Sequence, residues 1–287
     1  MLPRRESCGG YDPGLVRLLL WGLGIVVLAL TATVFLVHKL RPADTLVDLG
    51  EVYEPPDSSP PTDWRTSYHW RTTSMYSLSL DFGLAPALAN RLSPSLIPGQ
   101  TKHDFECVGR RELSLAYRQP LAYSMGHLST LADRLRQAAQ DHGWNVKELV
   151  EVVVALAQAS DYHDPVDLGE PTGLFLGPVT LARGEGDCDS KSLLIIALLR
   201  DLGIDATMLV SETGKHAMLA IDVPFPGRHI ILKGRRWALV EATGHDPAGV
   251  LKSDAMAESD WTVLNLSNVE PRLADGAPEA LDKASGL

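Results

Sequence analysis

The apolar run from Leu18 to Val37 constrains this chain more than any other feature of its sequence. The run holds 20 residues without a charge, and at about 1.5 Å rise per residue a helix of that length spans the roughly 30 Å hydrocarbon core of a bilayer. A helix also satisfies its own backbone hydrogen bonds, as lipid requires. Trp21 lies near one end, where aromatic rings favour the membrane interface. The run therefore predicts one transmembrane helix at 18–37.

A cleaved signal peptide is the alternative interpretation of the same run. Such peptides have a shorter apolar stretch, followed by small residues at the cleavage site. Here residues 34–37 continue the apolar stretch beyond its small cluster at 31–33, which favours an uncleaved anchor. Three arginines precede the span and two basic residues follow it. By the positive-inside rule this slightly favours a cytoplasmic N-terminal stub, 1–17, and a soluble domain outside the cytoplasm.

The composition of the 287 residues excludes several classes of protein. Hydrophobic residues make up 45% and charged residues 22% of the chain, which is typical of a folded soluble domain. The formal net charge of −10 argues against a nucleic-acid partner, because such proteins carry a basic surface. Three cysteines are too few for a disulfide framework.

Four segments follow the predicted anchor. Residues 38–65 are rich in proline and acids and predict an extended linker. Residues 66–144 predict the N-terminal part of a soluble domain, residues 145–264 its core, and residues 265–287 a flexible tail. Within these segments, apolar and polar residues alternate from Tyr76 to Phe82 and predict a strand.

Helices and strands are predicted along the rest of the soluble domain. Residues 83–100 contain prolines and small residues and predict irregular chain, whereas residues 128–139 have helical spacing that stops near Gly143. Asn145 followed by Glu148 is typical of a helix start. Residues 193–199 are apolar on every side, as in a buried central helix. Short β-branched or alternating runs then predict strands at 207–210, 217–223, 229–233 and 237–242.

Cys188 lies at the predicted start of that buried helix. Backbone N–H groups at a helix N-terminus are unpaired and favour negative charge, which predicts a lowered pKa and a nucleophilic thiolate. Asp187 and Asp189 oppose this effect, so a cationic partner is needed. A buried structural thiol is the simpler alternative, and a disulfide with Cys107 is another in an oxidising compartment.

His216 and Glu241 are candidates to complete a catalytic group. His216 immediately precedes a predicted strand, and an imidazole beside a thiol can accept its proton and later return it. Glu241 ends a later apolar strand, where a buried acid requires a partner and can fix the tautomer of an imidazole. Asp246 follows closely in sequence and is an alternative acid. Gln158 is a candidate oxyanion donor or a structural support, and the N–H of Cys188 is the alternative oxyanion donor.

These residues resemble the transglutaminase-like, papain-like thiol superfamily, especially its bacterial membrane or periplasmic members. The resemblance extends over about residues 145–250. The most specific part is the motif G-x-G-D-C-D-x-K-x-L-L at 184–194, which is followed by His216-Ala217 at a strand start and by the strand end at 237–243. It departs from the family pattern at Glu241, where Asp is common, and at Met218, where an aromatic residue is common.

The resemblance implies an α+β fold with a papain-type core, in which a central helix bearing Cys188 packs on an antiparallel sheet bearing His216 and Glu241. It implies a cysteine peptidase or amidase, or an acyltransferase, that forms a thioester with a protein or peptide substrate. It favours hydrolysis over transfer, and a periplasmic domain anchored in the inner membrane. A non-catalytic binding module on a membrane anchor is the alternative function.

The resemblance also bears on metal binding. In some bacterial members the acids that flank the cysteine bind calcium. Asp187 and Asp189 match those positions, and carboxylates are ligands that Ca²⁺ takes. We therefore expect no required cofactor and keep calcium as a candidate ligand. By contrast, the polar run 161–164 lacks the spacing of a metal site, and we expect it to form a loop.

Overall fold

A computed structural model describes residues 46–54, 64–74, 76–92, 110–170, 172–251 and 261–273. Contacts divide the chain into two units, Met1–Thr45 and Leu46–Leu287, and every described residue lies in the second. The stub 1–17 and the anchor 18–37 that the sequence predicts lie outside the described residues. Among the helices that are described, none is both long enough and apolar enough to cross a bilayer.

The described residues form five helices and eight strands. The first part contains β1 (Leu46–Glu54), β2 (Arg65–Arg71), β3 (Ser77–Leu84), α1 (Pro86–Arg91), α2 (Arg110–His142), α3 (Val146–Gln158), α4 (Gly177–Arg183) and α5 (Cys188–Asp201). The second part contains β4 (Ala206–Ser211), β5 (His216–Ile221), β6 (His229–Leu232), β7 (Arg235–Val240) and β8 (Thr262–Val263). The mixed α+β class that the sequence predicts is confirmed.

A three-stranded sheet in the order β1-β3-β2 packs on one side of the helices. β1 runs parallel to β3, and β2 runs antiparallel to it. Leu78, Leu80 and Phe82 of β3 are buried, whereas the polar residues between them are partly exposed. This confirms the strand predicted from the alternation between Tyr76 and Phe82.

Two predictions for this region are wrong. Residues 46–54 form β1, although they belong to the predicted linker 38–65. Acids lie between the apolar residues of β1, and the pairing register shifts between Asp48 and Glu51. The sequence therefore lacks a regular alternation of apolar and polar residues, and the pairing with β3 stabilises the strand instead. Residues 86–91 form α1 instead of irregular chain. That helix has only six residues, begins at a proline and lacks a side-chain cap.

The helix boundaries around Gly143 follow the predicted signals. α2 ends at His142, and Gly143 adopts a left-handed conformation with φ of 63°. The Asn145 side chain accepts hydrogen bonds from the N–H groups of Lys147 and Glu148, and the Glu148 carboxylate accepts one from the Asn145 N–H at 2.8 Å. This reciprocal capping box confirms the predicted helix start.

The α5 helix is the centre of the molecule, as its sequence predicts. Every residue from Ser190 to Leu199 is buried. α2, α3 and α4 pack against this helix, and so do β4 and β5 of a second sheet. That sheet is antiparallel in the order β6-β7-β5-β4-β8, and four of its strands match the predicted ones. The core around α5 therefore joins the helices to both sheets.

The flexible-tail prediction is wrong for residues 265–273, the described part of that segment. Leu266 is buried, the N–H of Asn265 donates to the Ser114 hydroxyl at 3.0 Å, and the N–H of Arg272 donates to the Ala122 carbonyl at 2.8 Å. Composition alone did not reveal this packing, because the partners lie on α2, about 150 residues earlier in the chain.

Candidate active site

Cys188 is the first residue of α5. Gly184 ends α4 in a left-handed conformation, with φ of 71°, and the chain reaches the start of α5 a few residues later. Asp187 caps the helix by accepting a hydrogen bond from the Ser190 N–H at 2.9 Å. The thiol is mostly buried, with 8% of the residue exposed, and it is not part of a disulfide. Cys107 lies outside the described residues.

His216 and Glu241 meet because β5 and β7 are neighbours in the second sheet. His216 is the first residue of β5, and Glu241 directly follows β7, whose Val240 pairs with Leu219. The antiparallel pairing brings the start of one strand beside the end of the other. The Nε2 atom of His216 lies 2.7 Å from Oε2 of Glu241.

The second carboxylate oxygen of Glu241 is also hydrogen-bonded. Oε1 accepts from the N–H of Thr243 at 2.8 Å and from its hydroxyl at 2.6 Å. Burial raises the pKa of Glu241, but the hydrogen bonds from His216 and Thr243 outweigh burial and lower the pKa overall. Burial likewise lowers the pKa of His216, but the hydrogen bond and charge of Glu241 outweigh it and raise that pKa. The two residues therefore favour a charged pair.

The Cys188 sulfur lies beside the same end of β5. The backbone N–H of Ala217, the residue after His216, donates a hydrogen bond to it. The thiol itself donates to Oδ1 of Asp189 at 3.4 Å, and none of the described hydrogen bonds joins Cys188 to His216. The Cys188 sulfur thus lies beside the start of β5, and the thiol proton is directed toward Asp189.

The expectation of a low thiol pKa is wrong for the free protein. Burial raises the pKa of Cys188 well above its usual range, and the charges of Asp189 and Asp187 raise it further. The carboxyl groups repel each other as well: burial and the charge of Asp189 raise the pKa of Asp187 to about 7. The helix N-terminus does not offset the loss of water and the two adjacent acids.

Tyr117 is a site residue that the sequence did not indicate. It is fully buried on α2, and its hydroxyl donates a hydrogen bond to Oδ2 of Asp189. Asp189 therefore accepts from the tyrosine on one oxygen and from the Cys188 thiol on the other. Since Tyr117 lies 72 residues before Asp189 within an ordinary helical pattern, no local signal could have connected them.

Gln158 supports the loop that carries Glu241. Its side-chain amide donates to the backbone carbonyls of Glu241 at 2.8 Å and Asp246 at 3.0 Å. Both amide hydrogens are then used, so the alternative of Gln158 as an oxyanion donor is wrong in this conformation. The N–H of Cys188, at the first position of a helix, remains the donor expected from helix geometry.

The predicted loop at 161–164 runs beside the cysteine motif. The Asp161 N–H donates to the Gly184 carbonyl at 2.7 Å, and the Gly186 N–H donates to the Asp161 carbonyl at 3.1 Å. Tyr162 in this loop is 59% exposed, and its partial burial raises its pKa. On the other side, the Trp261 ring stands edge-on to His216, with 6.3 Å between the centroids.

Two acids and the thiol form a compact group of candidate calcium ligands at the start of α5. Ligand atoms of Asp187, Cys188 and Asp189 lie within 4.8 Å of one another. Both Asp189 oxygens and one Asp187 oxygen already accept hydrogen bonds, whereas Ca²⁺ takes six to eight oxygen ligands. Among the described residues these groups alone do not fit a complete calcium site, and calcium stays a prediction.

No protein-family model matches this chain, and no curated protein matches it. Its chemistry is therefore inferred from the side chains around Cys188, His216 and Glu241.

Proposed function

We propose that this protein is a thiol enzyme that cleaves amide bonds of proteins or peptides, with Cys188 as nucleophile, His216 as base and Glu241 as the acid that orients the imidazole. One observation carries the proposal: the His216–Glu241 contact of 2.7 Å lies at the start of β5, where the Ala217 N–H is close enough to the Cys188 sulfur to favour its charged form. Three groups distant in sequence thus converge at the start of a buried helix.

The hydrogen bonds assign a task to each imidazole nitrogen. Nε2 is held by Glu241, which leaves Nδ1 to accept the thiol proton. The carboxylate then stabilises the imidazolium that forms. In the free protein the thiol donates to Asp189 instead, so the Cys188 side chain must exchange that partner for His216 before it attacks.

The proposed reaction has two halves. When the imidazole of His216 is neutral, above its raised pKa, the thiol proton moves to its Nδ1, and the sulfur attacks the amide carbonyl carbon to form a tetrahedral oxyanion near the N–H of Cys188. The carbon–nitrogen bond breaks, the leaving amine takes the proton from His216, and a thioester remains. Water then gives a proton to His216 and attacks the thioester, which releases the carboxylate product and restores the thiol. We propose water as the acceptor; an amine would make the reaction a transfer.

The wider proposal follows the family resemblance. The central position of α5 and the antiparallel sheet beside it support a papain-type, transglutaminase-like core. The apolar run 18–37 supports a single-pass anchor, and we propose that the domain lies in the periplasm of a bacterial cell. The substrate is then a protein or peptide outside the cytoplasm, and no cofactor takes part in the reaction.

An activated ester tests the nucleophile directly. A p-nitrophenyl ester of a short acyl group should release one equivalent of p-nitrophenolate per protein in a burst, followed by slow turnover. Cys188→Ala should abolish the burst and the acyl adduct seen by mass spectrometry, whereas the matched variant Cys107→Ala should keep both. An adduct of equal yield on Cys188→Ala would remove Cys188 from the proposed mechanism.

One observation favours the alternative of a non-catalytic binding module on a membrane anchor. The thiol is held protonated by Asp189, and burial and acids raise its pKa. The burst separates the two functions if His216→Ala is included. For an enzyme, His216→Ala should slow acylation by about a hundredfold or more. For a binding module, any slow acylation should be equal in the wild type and in His216→Ala.

A further inference from the structure

A second cleft lies at the end of α5 opposite Cys188. Its volume is about 1150 Å³. Its walls are formed by α2, by the C-terminal end of α5, by the first residues of β4, by the β6–β7 turn and by residues 263–269. The 14-residue α5 helix separates it from the thiol by roughly 20 Å at 1.5 Å per residue. None of the proposed catalytic residues lines it.

Two partly buried arginines are fixed in the wall of this cleft. Arg118 donates to the backbone carbonyls of Ser267 at 2.7 Å and Asn268 at 2.9 Å. Arg200 donates twice to the carbonyl of Ala206, at 3.2 and 3.0 Å, and once to the carbonyl of Leu266, at 2.5 Å. These neutral carbonyls hold the guanidinium groups in place but do not balance their charges. Each group also keeps N–H donors beyond those used.

The positive charge of the cleft is incompletely compensated. Neither Arg118 nor Arg200 forms an ion pair with a carboxylate among the described residues, and Lys233 adds a third cation. Asp205 is the one acid among the described lining residues, and its carboxylate also accepts from Arg235. The charge of Asp205 acts on Arg200, but one carboxylate that is shared with Arg235 does not balance three cations. Since buried charges are normally paired, this excess of positive charge indicates a site for an anion.

Part of the remaining wall of the cleft is apolar. Leu115 on α2 is 58% exposed there, and Met125, Ile204 and Trp237, each less than a tenth exposed, lie behind the surface. Single exposed apolar residues are normal, but here they adjoin two oriented guanidinium groups. Ligand sites characteristically combine an apolar wall with a few fixed polar groups.

We propose that this cleft binds a small amphipathic carboxylate, with its charged group on Arg118 and Arg200 and its apolar part against Leu115 and Trp237. A planar guanidinium matches a carboxylate through two parallel N–H donors, and the apolar part removes exposed side-chain surface from water. The site is separate from Cys188 and does not depend on thiol chemistry.

A matched pair of probes tests the charge requirement. Calorimetry on the full-length protein would compare 4-phenylbutyrate with its neutral amide, 4-phenylbutyramide. We expect the carboxylate to bind about tenfold more tightly, because charge-assisted hydrogen bonds to arginine are absent for the amide. Cys188→Ala should bind the carboxylate as the wild type does. Equal affinity for the two probes, or no binding of either, would overturn the proposal.

Variants locate the site. Arg118→Gln should weaken binding of 4-phenylbutyrate about fivefold or more, while Arg65→Gln, an exposed arginine of the other sheet, should leave it unchanged. Because Arg118 also supports residues 267 and 268, Leu115→Glu supplies a second variant at an exposed position. Its carboxylate should repel the probe and weaken binding by a similar factor. Wild-type affinity in both Arg118→Gln and Leu115→Glu would contradict the assignment.

Discussion

The Nε2 atom of His216 lies 2.7 Å from Oε2 of Glu241, although 25 residues separate them in the chain. The contact follows from the neighbouring positions of β5 and β7, and it polarises the imidazole toward the charged form. Because Glu241 is also held by Thr243 on its other oxygen, its carboxylate cannot rotate away without breaking several hydrogen bonds. The geometry leads to predictions about activity, pH and stability.

Glu241→Gln should lower kcat/KM for an amide or ester substrate by about a thousandfold, because the amide neither stabilises the imidazolium nor fixes its tautomer as a carboxylate does. The pKa of His216, followed by NMR of its ring protons, should fall toward the ordinary value of 6.5. Glu212→Gln, an exposed acid near β5, is the matched control and should change neither quantity. An unchanged rate would show that Glu241 has no part in the reaction.

The stability lost in Glu241→Gln should depend on pH. The raised pKa of His216 contributes stability below about 6.5, which is lost as pH rises through the folded pKa. The lowered pKa of Glu241 contributes stability above about 4.5, which is lost as pH falls through its folded pKa. The wild type should therefore exceed Glu241→Gln in free energy of unfolding mainly between those values, as measured by urea denaturation. A difference that is constant from pH 3 to 9 would contradict the charged pair.

Gln158→Ala should destabilise the protein by about 2 kcal/mol, because the carbonyls of Glu241 and Asp246 lose the two hydrogen bonds that the Gln158 amide donates to them. Activity should also fall, since those carbonyls belong to Glu241 and to the loop after it. Urea denaturation and kcat/KM should be measured together. A large loss of kcat with unchanged stability would contradict this prediction. It would favour Gln158 as the oxyanion donor, although both of its amide hydrogens are already used by carbonyls.

Asp201→Asn should stabilise the protein at alkaline pH. Burial raises the pKa of Asp201 to about 7. The charge of Arg136 opposes this rise, and the charge of Asp133 adds to it. One carboxylate oxygen of Asp201 is buried without a hydrogen-bond partner among the described residues. Since the folded pKa exceeds the unfolded one, ionisation costs stability increasingly from about pH 4 to pH 7.

At pH 8 the gain from Asp201→Asn should be about 1 kcal/mol, a value reduced for the partial exposure of the carboxylate. At pH 4 the gain should vanish. The comparison is made by urea denaturation, with the exposed Asp167→Asn as control. An equal gain at both pH values would show that charge is not its cause.

Asn145→Ala should lower the free energy of unfolding by about 1 kcal/mol, because the first N–H groups of α3 lose their acceptor. Val146→Ala, at the exposed first residue of α3, is the control and should change the free energy of unfolding by only a few tenths of a kcal/mol. Chemical denaturation measures both. A loss no larger than that of the control would mean that the capping box contributes nothing to stability.

Local signals predicted much of the fold. The capping box at Asn145, the apolar surface of α5 and the strands around His216 each arise from residues close in sequence, so patterns of two or 3.6 residues reveal them. β1 was missed because its alternation is broken by a shift in register, and the packing of residues 265–273 was missed because its partners lie on α2. Those segments are stabilised by distant contacts rather than by their own composition.

The sequence by itself determined where the candidate catalytic groups lie: a cysteine at the start of a buried helix, a histidine at a strand start and an acid at a strand end. Only the tertiary structure decided the hydrogen-bond partners and the pKa values of these groups. Asp189 accepts the hydrogen bond of the Cys188 thiol and is itself held by the buried Tyr117. Gln158 holds the loop of Glu241, and burial with two acids raises the thiol pKa that the helix terminus was expected to lower. Desolvation and hydrogen bonds between distant residues depend on three-dimensional packing, which no local pattern of residues contains.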